Sequence, residues 1–242
     1  MKTLKIFFLF IATWFSCSLT AQNLKWDEIH NGIWYTRIGE EQPISLLKAA
    51  EIIPDTKALD KLTDVGFPLD ETKINAEVIN GKTYLRFPLQ KEEELYGLGL
   101  NFKTHNQRGR ILNLHVDHYG NGDSGRTHAP VPFYVSTKGY GVLIDAANYL
   151  TVYAGTGVRV DADEKPVLRD RNSDPKWEAQ PYSDAVEILV PADGTEVYIF
   201  GGKSMLEVVQ RYNLFSGGGY LPPKWGLGFT QRFQPYFRQK IF

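Results

Sequence analysis

The polar side chains of residues 115–128 have the types that bind hydroxyl-rich ligands. His115 and Asp117 come together at the end of a predicted strand, and the loop after them carries further donors and acceptors. These loop residues are Asn121, Asp123, Ser124, Arg126, Thr127 and His128. Carboxylate, amide, guanidinium and imidazole groups placed close together are the polar groups that fix a small ligand in its site. The sequence therefore places the candidate binding site here.

The histidines and acids of this loop would also suit a metal, but their spacing disfavours one. His115 and His118 are three residues apart, so on one strand their side chains would point to opposite faces. A calcium loop around Gly122 would need acids at the positions that Tyr119 and His128 occupy. We therefore predict no bound metal and no cofactor.

A pair of carboxylates would suit glycoside hydrolysis, since retaining enzymes hold two carboxyl groups about 5–5.5 Å apart. Asp117 and Asp123 can approach each other, but both belong to a loop rather than to rigid strand ends. The sequence has no Gly-x-Ser-x-Gly elbow and no Ser-His-Asp set for acyl transfer. We predict no catalytic residue in this chain. The alternative that these polar residues only solvate a long turn stays open.

The strand that precedes the loop is predicted over residues 110–117. Leu112, Leu114 and Val116 alternate with side chains that are mostly polar, so one face of the strand is expected to be buried. This alternation places His115 and Asp117 together on the opposite face.

Two further signals indicate antiparallel pairing. Asn80-Gly81 separates the alternating segments 76–79 and 82–87, and this dipeptide is the preferred turn of a two-residue hairpin. The strand predicted over residues 95–99 contains Gly97 and Gly99, and a glycine pair in a strand marks the close approach of another backbone.

Short strands separated by turn residues are typical of an antiparallel β-sandwich, which is the predicted fold class. The remaining strands are predicted over residues 32–38, 131–136, 140–146, 149–153, 158–160, 185–190 and 196–200. The last two are expected to pair with each other around residues 191–194. Residues 44–53 are predicted as a short helix, and residues 55–73 and 164–181 as irregular.

The pattern changes near residue 204. A helix is predicted over residues 204–215, and the three glycines at 217–219 end it. Its apolar side chains at helical spacing are Met205, Val208, Val209 and Tyr212. Residues 225–229 are predicted as a buried strand. One helix and one strand would have nothing to pack against beside a finished sandwich, and residues 230–242 do not build a domain, so the last strand is expected to begin a domain that the chain does not complete.

The first 21 residues have the pattern of a secretory signal peptide. Lys2 and Lys5 precede the apolar stretch 6–15, and small residues allow cleavage after Ala21. The stretch is too short for a stable membrane span, so we predict a protein exported to the bacterial periplasm or the exterior, without a span after cleavage. Cys17 would leave with the signal peptide, and the mature protein would depend on its hydrophobic core without a disulfide.

Composition bounds the class of protein. The 242 residues are 43% hydrophobic, which suffices for a large all-β domain with its own core. The net charge of −1 argues against a nucleic-acid partner, because neutralising phosphates needs a basic face.

Four parts of the chain together resemble glycoside hydrolase family 31, which includes α-glucosidases and α-xylosidases. They are Leu95-Tyr96-Gly97-Leu98-Gly99, residues 115–123, Pro132-Phe133-Tyr134 with Gly141-Val142-Leu143-Ile144-Asp145, and Leu221-Pro222-Pro223-Lys224-Trp225-Gly226-Leu227-Gly228. The resemblance covers most of residues 96–229. It implies a galactose-mutarotase-like N-terminal β-sandwich for the first three parts and the first strand of a (β/α)₈ barrel for the fourth.

The resemblance also implies a function for the whole enzyme, which is retaining hydrolysis of terminal α-linked sugars. The catalytic aspartates of the family lie on later barrel strands, so this chain is expected to lack them and to be inactive by itself. Asp117 is implied to contact a sugar hydroxyl, with Arg126, Thr127 and His128 near the loop tip. An oligosaccharide or α-glycoside is the implied partner.

The expected organisation has four parts. They are a signal peptide over residues 1–21, the N-terminal β-sandwich over 22–202, a helical connector over 203–220 and the start of a truncated catalytic barrel over 221–242. A missing barrel would cover the last part, and Trp225, Leu227 and Phe229 would be left exposed without it. The alternative is a stand-alone carbohydrate-binding β-sandwich module, which would bind sugar without a barrel.

Overall fold

The computed structural model describes residues 24–101, 104–117, 126–127, 129–156, 182–219 and 223–227. The predicted signal peptide, the strand 158–160 and the loop 164–181 lie outside these residues. Across the described ranges, no helix combines the length and the apolar character that crossing a membrane requires.

Within the described residues the chain forms two six-stranded sheets, which confirms the predicted β-sandwich. The strands are β1 (Asp27–His30), β2 (Ile33–Gly39), β3 (Asn75–Ile79), β4 (Lys82–Pro88), β5 (Leu95–Gly97), β6 (Arg110–Val116), β7 (Arg126–Thr127), β8 (Phe133–Ser136), β9 (Tyr140–Asp145), β10 (Leu150–Thr156), β11 (Tyr182–Val190) and β12 (Gly194–Gly201). The first sheet has the order β1-β2-β12-β9-β8-β5 and the second β3-β4-β11-β10-β6-β7. Neighbouring strands are antiparallel except β6 and β7, which are parallel.

The hairpin predicted around Asn80-Gly81 is confirmed. Ile79 pairs with Lys82 across the turn, so the loop has two residues. Asn80 and Gly81 have φ angles of 51° and 75°, the positive values that this tight turn requires.

The predicted pairing of residues 185–190 with 196–200 is wrong. β11 pairs with β4 and β10 in the second sheet, whereas β12 pairs with β2 and β9 in the first. The connection crosses from one sheet to the other, and the Thr83 hydroxyl donates to the Ala192 carbonyl at 2.8 Å and holds the corner. Turn residues show that the chain reverses, but not that it remains in one sheet.

The region before β3 differs from the prediction in two places, one less regular and one more regular than predicted. The helix expected over residues 44–53 is limited to α1 (Leu46–Ala49), which the Ser45 side chain caps. The segment expected to be irregular contains α2 (Thr56–Leu59) and a 3₁₀ turn at Glu71–Lys73. In both, an aspartate side chain accepts a hydrogen bond from an amide of the first turn, which stabilises even a single turn.

The main core lies between the two sheets and contains side chains from both. Fully buried members from the second sheet include Leu85, Phe87, Leu112, Val152 and Ile188, and those from the first include Trp34, Val142, Ile144, Val197 and Ile199. Burying each such side chain contributes about 1.5–3 kcal/mol.

A carboxylate is buried within this apolar core. Glu93 is 1% exposed and accepts hydrogen bonds from the Tyr140 hydroxyl at 2.6 Å, the Gln90 amide at 2.8 Å and the Ser136 hydroxyl. Tyr134 is also buried, but its hydroxyl has no hydrogen-bond partner among the described residues. Burial and the nearby Glu93 charge raise the pKa of Tyr134 well above its usual value. Glu93 thus joins the turn before β5 to the β8–β9 hairpin.

A second core covers the outer face of the first sheet. The helix α3 (Met205–Phe215) packs Val208 and Phe215 against this face, and the Tyr212 ring stacks on Phe133 with centroids 3.9 Å apart. The helix predicted over 204–215 is confirmed, but the expectation that it would have nothing to pack against is wrong. The outer face of β8, β9 and β12 is itself apolar and needs a cover.

The buried guanidinium of Arg211 fixes α3 to the sandwich. Arg211 is 0% exposed and donates to the carbonyl oxygens of Asn31 at 3.1 Å, Gly201 at 2.6 Å and Thr63, and to the Glu207 carboxylate at 3.0 Å. Burial acts against the charge of Glu207, yet the Lys203 amide and the Arg211 guanidinium together hold its pKa below the usual range. One side chain therefore connects the helix to three separate parts of the backbone.

The strand predicted over residues 225–229 is not found within the described residues. Lys224–Leu227 forms a 3₁₀ turn instead, in which the Gly226 amide donates to the Pro223 carbonyl at 2.8 Å. Trp225 in this turn is 85% exposed. A strand needs a neighbouring strand to satisfy its backbone, and a turn satisfies part of it locally.

We expect Arg211→Ala to lower the free energy of unfolding by about 3–5 kcal/mol, because it leaves buried acceptors and the Glu207 charge without their partner. Urea denaturation followed by circular dichroism measures this. The matched control is Arg37→Ala, which removes an exposed ion pair with Glu41 and should cost about 0–1 kcal/mol. Equal losses for the two variants would contradict the role assigned to Arg211.

The two buried tyrosines provide a second test. We expect Tyr140→Phe to destabilise the fold by about 1–3 kcal/mol, because the buried Glu93 carboxylate loses a donor. Tyr134→Phe removes a hydroxyl without a partner among the described residues and should leave stability unchanged or slightly higher. The difference between the two midpoints of denaturation is the measurement, and the opposite order would refute this assignment.

Candidate functional site

The end of β6 and the short strand β7 position the predicted site. His115 pairs with Arg126 and Val116 with Thr127 in a parallel register. The Asp117 amide then donates to the Thr127 carbonyl at 3.0 Å. These main-chain contacts bring residues 117 and 126–127 together at the base of the loop.

Of the four predicted sugar contacts, the structure describes the side chains of Asp117 and Thr127. Asp117 is half-buried at the end of β6. Thr127 is 2% exposed, so it lies at the base of the loop, and its hydroxyl has no hydrogen-bond partner among the described residues. The Arg126 backbone belongs to β7, but its side chain lies outside the description, as does His128.

Tyr149 contacts His115 at the predicted site and was not among the predicted contacts. Its ring packs against the His115 imidazole with centroids 4.0 Å apart and planes at 45°. The contact follows from the register, because Leu150 of β10 pairs with Leu114 of β6 and so places Tyr149 beside His115. The pattern of residues 149–153 predicts that Tyr149 lies in a strand. It does not predict that this strand pairs with β6.

A small cleft lies against the same strand end. It encloses about 110 Å³. Its lining residues are Leu46, Leu114, Val116, Pro130, Pro132, Ala146, Ala147, Asn148, Tyr149 and Leu150. Apart from Asn148, these side chains are apolar or aromatic, which is the usual composition of a ligand-binding cleft.

Val116 corrects the prediction that it is buried with Leu112 and Leu114. Leu112 and Leu114 are 0% and 4% exposed, whereas Val116 is 54% exposed. β6 extends beyond the first residue of β10, Leu150, so Val116 has no partner from that strand. It lines the cleft instead of the core.

The close approach of another backbone predicted from Gly97 and Gly99 is confirmed, although the strand predicted over residues 95–99 ends at Gly97. Gly97 and Gly99 have φ angles of 111° and 93°. A Cβ on Gly97 would lie 2.6 Å from the Phe133 carbonyl oxygen, and one on Gly99 would lie 2.8 Å from the Cα of Pro130. Side chains at these positions would displace the segment that contains Pro130 and Pro132, two residues that line the cleft.

The described residues do not form a metal site: no three histidine, cysteine or acidic side chains lie close enough among them to hold an ion. His118, Asp123 and His128 fall outside the described residues. The described residues at this strand end offer the Asp117 carboxylate and the His115–Tyr149 ring pair, and the apolar cleft lined by Leu114 and Val116 lies beside the same strand.

Part of the chain matches a protein-family model. Residues 66–152 match the family model described as the glycosyl hydrolase 31 N-terminal galactose mutarotase-like domain. The matched stretch runs from before β3 into β10 and includes Asp117, Thr127 and Tyr149.

Two similar curated proteins are named as an α-xylosidase and an isomaltosyltransferase. The α-xylosidase XylQ of Lactiplantibacillus pentosus is 26% identical over 163 residues, which are 65% of this chain and 18% of that protein. The isomaltosyltransferase of Sporosarcina globispora is 22% identical over 165 residues, 68% of this chain and 13% of that protein. The chain thus spans less than a fifth of the length of either relative.

The fold is also similar to a solved structure. A family 31 dextranase from Flavobacterium johnsoniae, in complex with isomaltotriose, superposes with a TM-score of 0.55 at 17% identity, covering 86% of this chain and 28% of that one. These comparisons confirm the resemblance to the N-terminal portion of family 31 and the β-sandwich fold class. The start of a barrel is not confirmed by them.

Proposed function

We propose that this chain, whose residues 66–152 match the N-terminal galactose mutarotase-like domain of glycosyl hydrolase family 31, serves as the N-terminal part of an exported retaining α-glycoside hydrolase. The whole enzyme would hydrolyse terminal α-linked sugars such as α-xylosides or α-glucosides. The observation that carries the proposal is the family match over the strands that hold the candidate site.

In this proposal the sandwich contributes sugar contacts to an active site whose chemistry lies in a barrel. Asp117 accepts a hydrogen bond from a sugar hydroxyl, and it is held by the bond from its amide to the Thr127 carbonyl. Arg126 and His128 would supply further polar contacts, whereas Thr127, which is 2% exposed, would act by holding Asp117 through its carbonyl. The half-buried position of Asp117 supports this role, because a carboxylate that is partly desolvated forms stronger hydrogen bonds.

The barrel would begin after α3. Trp225 is 85% exposed just beyond the helix, and an exposed tryptophan of this kind would gain from a covering domain. The 3₁₀ turn at Lys224–Leu227 would then give way to a strand once a neighbouring strand is present. The family's two catalytic aspartates would lie in that barrel.

We expect the chain by itself to show no hydrolysis of 4-nitrophenyl α-D-xylopyranoside or α-D-glucopyranoside, because the described site supplies no pair of carboxylates for double displacement. Release of nitrophenol by the purified protein is the measurement. The matched control is Asp117→Ala, which should give the same background rate. Turnover by the unchanged chain above this variant would show that the chain is catalytic itself.

Export is the second part of the proposal. Expressed in a bacterial host with a Sec system, the protein should reach the periplasm and begin at Gln22, because cleavage would follow Ala21. N-terminal sequencing of the periplasmic fraction tests this, with a variant Leu9→Arg as the export-deficient control. A full-length N-terminus in the periplasmic protein would argue against a cleaved signal.

A stand-alone carbohydrate-binding module is the second candidate. It is favoured by the two closed cores and by the cleft beside Tyr149, which need no further domain to form. Calorimetry with xylose-containing and maltose-like oligomers separates the two: micromolar affinity of the chain alone favours the module, and millimolar affinity favours the enzyme part.

A further inference from the structure

The segment of residues 44–53, which we call the strap, connects β2 to α2 and is joined to the sheets by few contacts. Pro43 and Pro54 flank it, and its one helical turn, α1, has no buried side chain. The backbone amides of residues 49–52 donate to carbonyl oxygens of the strap itself. Among the described residues, a single hydrogen bond joins the strap to a strand, from the Leu47 amide to the Asp145 carboxylate of β9 at 3.0 Å.

This hydrogen bond lies beside the wall of the apolar cleft. Its donor, Leu47, directly follows Leu46, which lines the cleft. Its acceptor, Asp145, directly precedes Ala146 and Ala147, which also line it. The strap therefore contributes a wall of the cleft where it is joined to β9.

We propose that the strap is a lid that opens and closes this cleft, with the hydrogen bond between Leu47 and Asp145 as its latch. In the closed state Leu46 completes the wall. In the open state the latch is broken, Leu46 moves away from the cleft, and the Asp145 carboxylate is hydrated.

Two contacts besides the latch favour the closed state. The half-buried Leu47 side chain packs against the second core. The Lys48 ammonium lies 3.7 Å from the carboxylate of Glu196, which pairs with Asp145 across β9 and β12. The closed strap thus brings a cation to two neighbouring carboxylates. The Lys48 side chain is 42% exposed, so this ion pair contributes little by itself.

The burial of Asp145 acts against the closed state. Asp145 is 1% exposed, yet one of its carboxylate oxygens has no hydrogen-bond partner among the described residues. Burying an incompletely bonded carboxylate costs free energy, which hydration returns when the strap opens. Ile44 and Ile53 are 63% and 81% exposed, so the closed state does not bury them. Opposing contributions of this kind keep two states close in free energy, as a lid requires.

Amide hydrogen exchange on the whole chain, followed by NMR, tests the latch. We expect the amides of residues 47–52 to exchange at least about a hundredfold faster than those of β9 and β12, because the strap opens without global unfolding. Asp145→Ala removes the acceptor and should accelerate exchange of the strap amides about tenfold further, with β9 unchanged. Asp145→Asn keeps an acceptor oxygen, so its rates should lie between those of the unchanged chain and of Asp145→Ala.

Glu41→Ala is the matched control. It removes the exposed carboxylate that lies 2.8 Å from the Lys48 ammonium, but it leaves the latch intact. The strap amides of this variant should exchange within about twofold of the unchanged chain, since an exposed ion pair contributes little.

Relaxation dispersion of methyl groups tests whether the strap gates the cleft. Leu46, Ala146 and Leu150, which line the cleft, should show exchange at one common rate with the strap amides. If the strap amides are as protected as those of β9, the strap does not open and the lid is refuted. If they exchange fast while the three methyl-bearing residues show no common exchange, the strap opens without gating the cleft, which also refutes it.

The variants give the remaining outcome. If Asp145→Ala and Glu41→Ala change strap exchange equally, Asp145 is not the latch and the inference fails. These measurements use no ligand, so their failure leaves the proposed function untouched, and failure of the proposed function leaves the lid untouched.

Discussion

The central strands of the first sheet are buried on both faces, and the packing of the rest of the structure follows from covering them. These strands, β9 and β12, carry apolar side chains in continuous runs, and all six residues of β9 are buried. One face meets the second sheet in the main core, and the other meets α3 and α2 in the second core. The cover on the second side is held by Arg211, whose guanidinium satisfies carbonyl oxygens that would otherwise be buried without donors.

The parts of the fold that sequence predicts are those set by local chemistry. The Asn80-Gly81 turn, the close approach at Gly97 and Gly99, and the helix ended by glycines each depend on a few adjacent residues. The continuous apolar runs of β9 and β12 also carried a signal, since strands buried on one face alternate, as β4 does. Reading those runs as two-sided burial would have predicted that α3 had a surface to cover.

The parts that sequence missed depend on pairing between distant segments. Tyr149 reaches His115 only because β10 joins β6, which lies more than thirty residues earlier in the chain. The connection from β11 to β12 crosses between sheets, although the same turn residues would suit a hairpin. Of the candidate site, Asp117 and the loop were accessible to sequence reasoning because they follow a strand end, whereas the cleft required the tertiary structure.

Main-chain contacts close the loop at its base, so the stability of the sandwich does not depend on the loop's amino-acid sequence. These contacts are the parallel pairing of β6 with β7 and the hydrogen bond from the Asp117 amide to the Thr127 carbonyl. Both use main-chain groups, so they do not depend on the side chains of residues 118–125. Doubling the length of such a segment costs only about 0.6 kcal/mol of closure entropy. Residues 118–125 can thus be exchanged, between homologues or by grafting, on an unaltered scaffold.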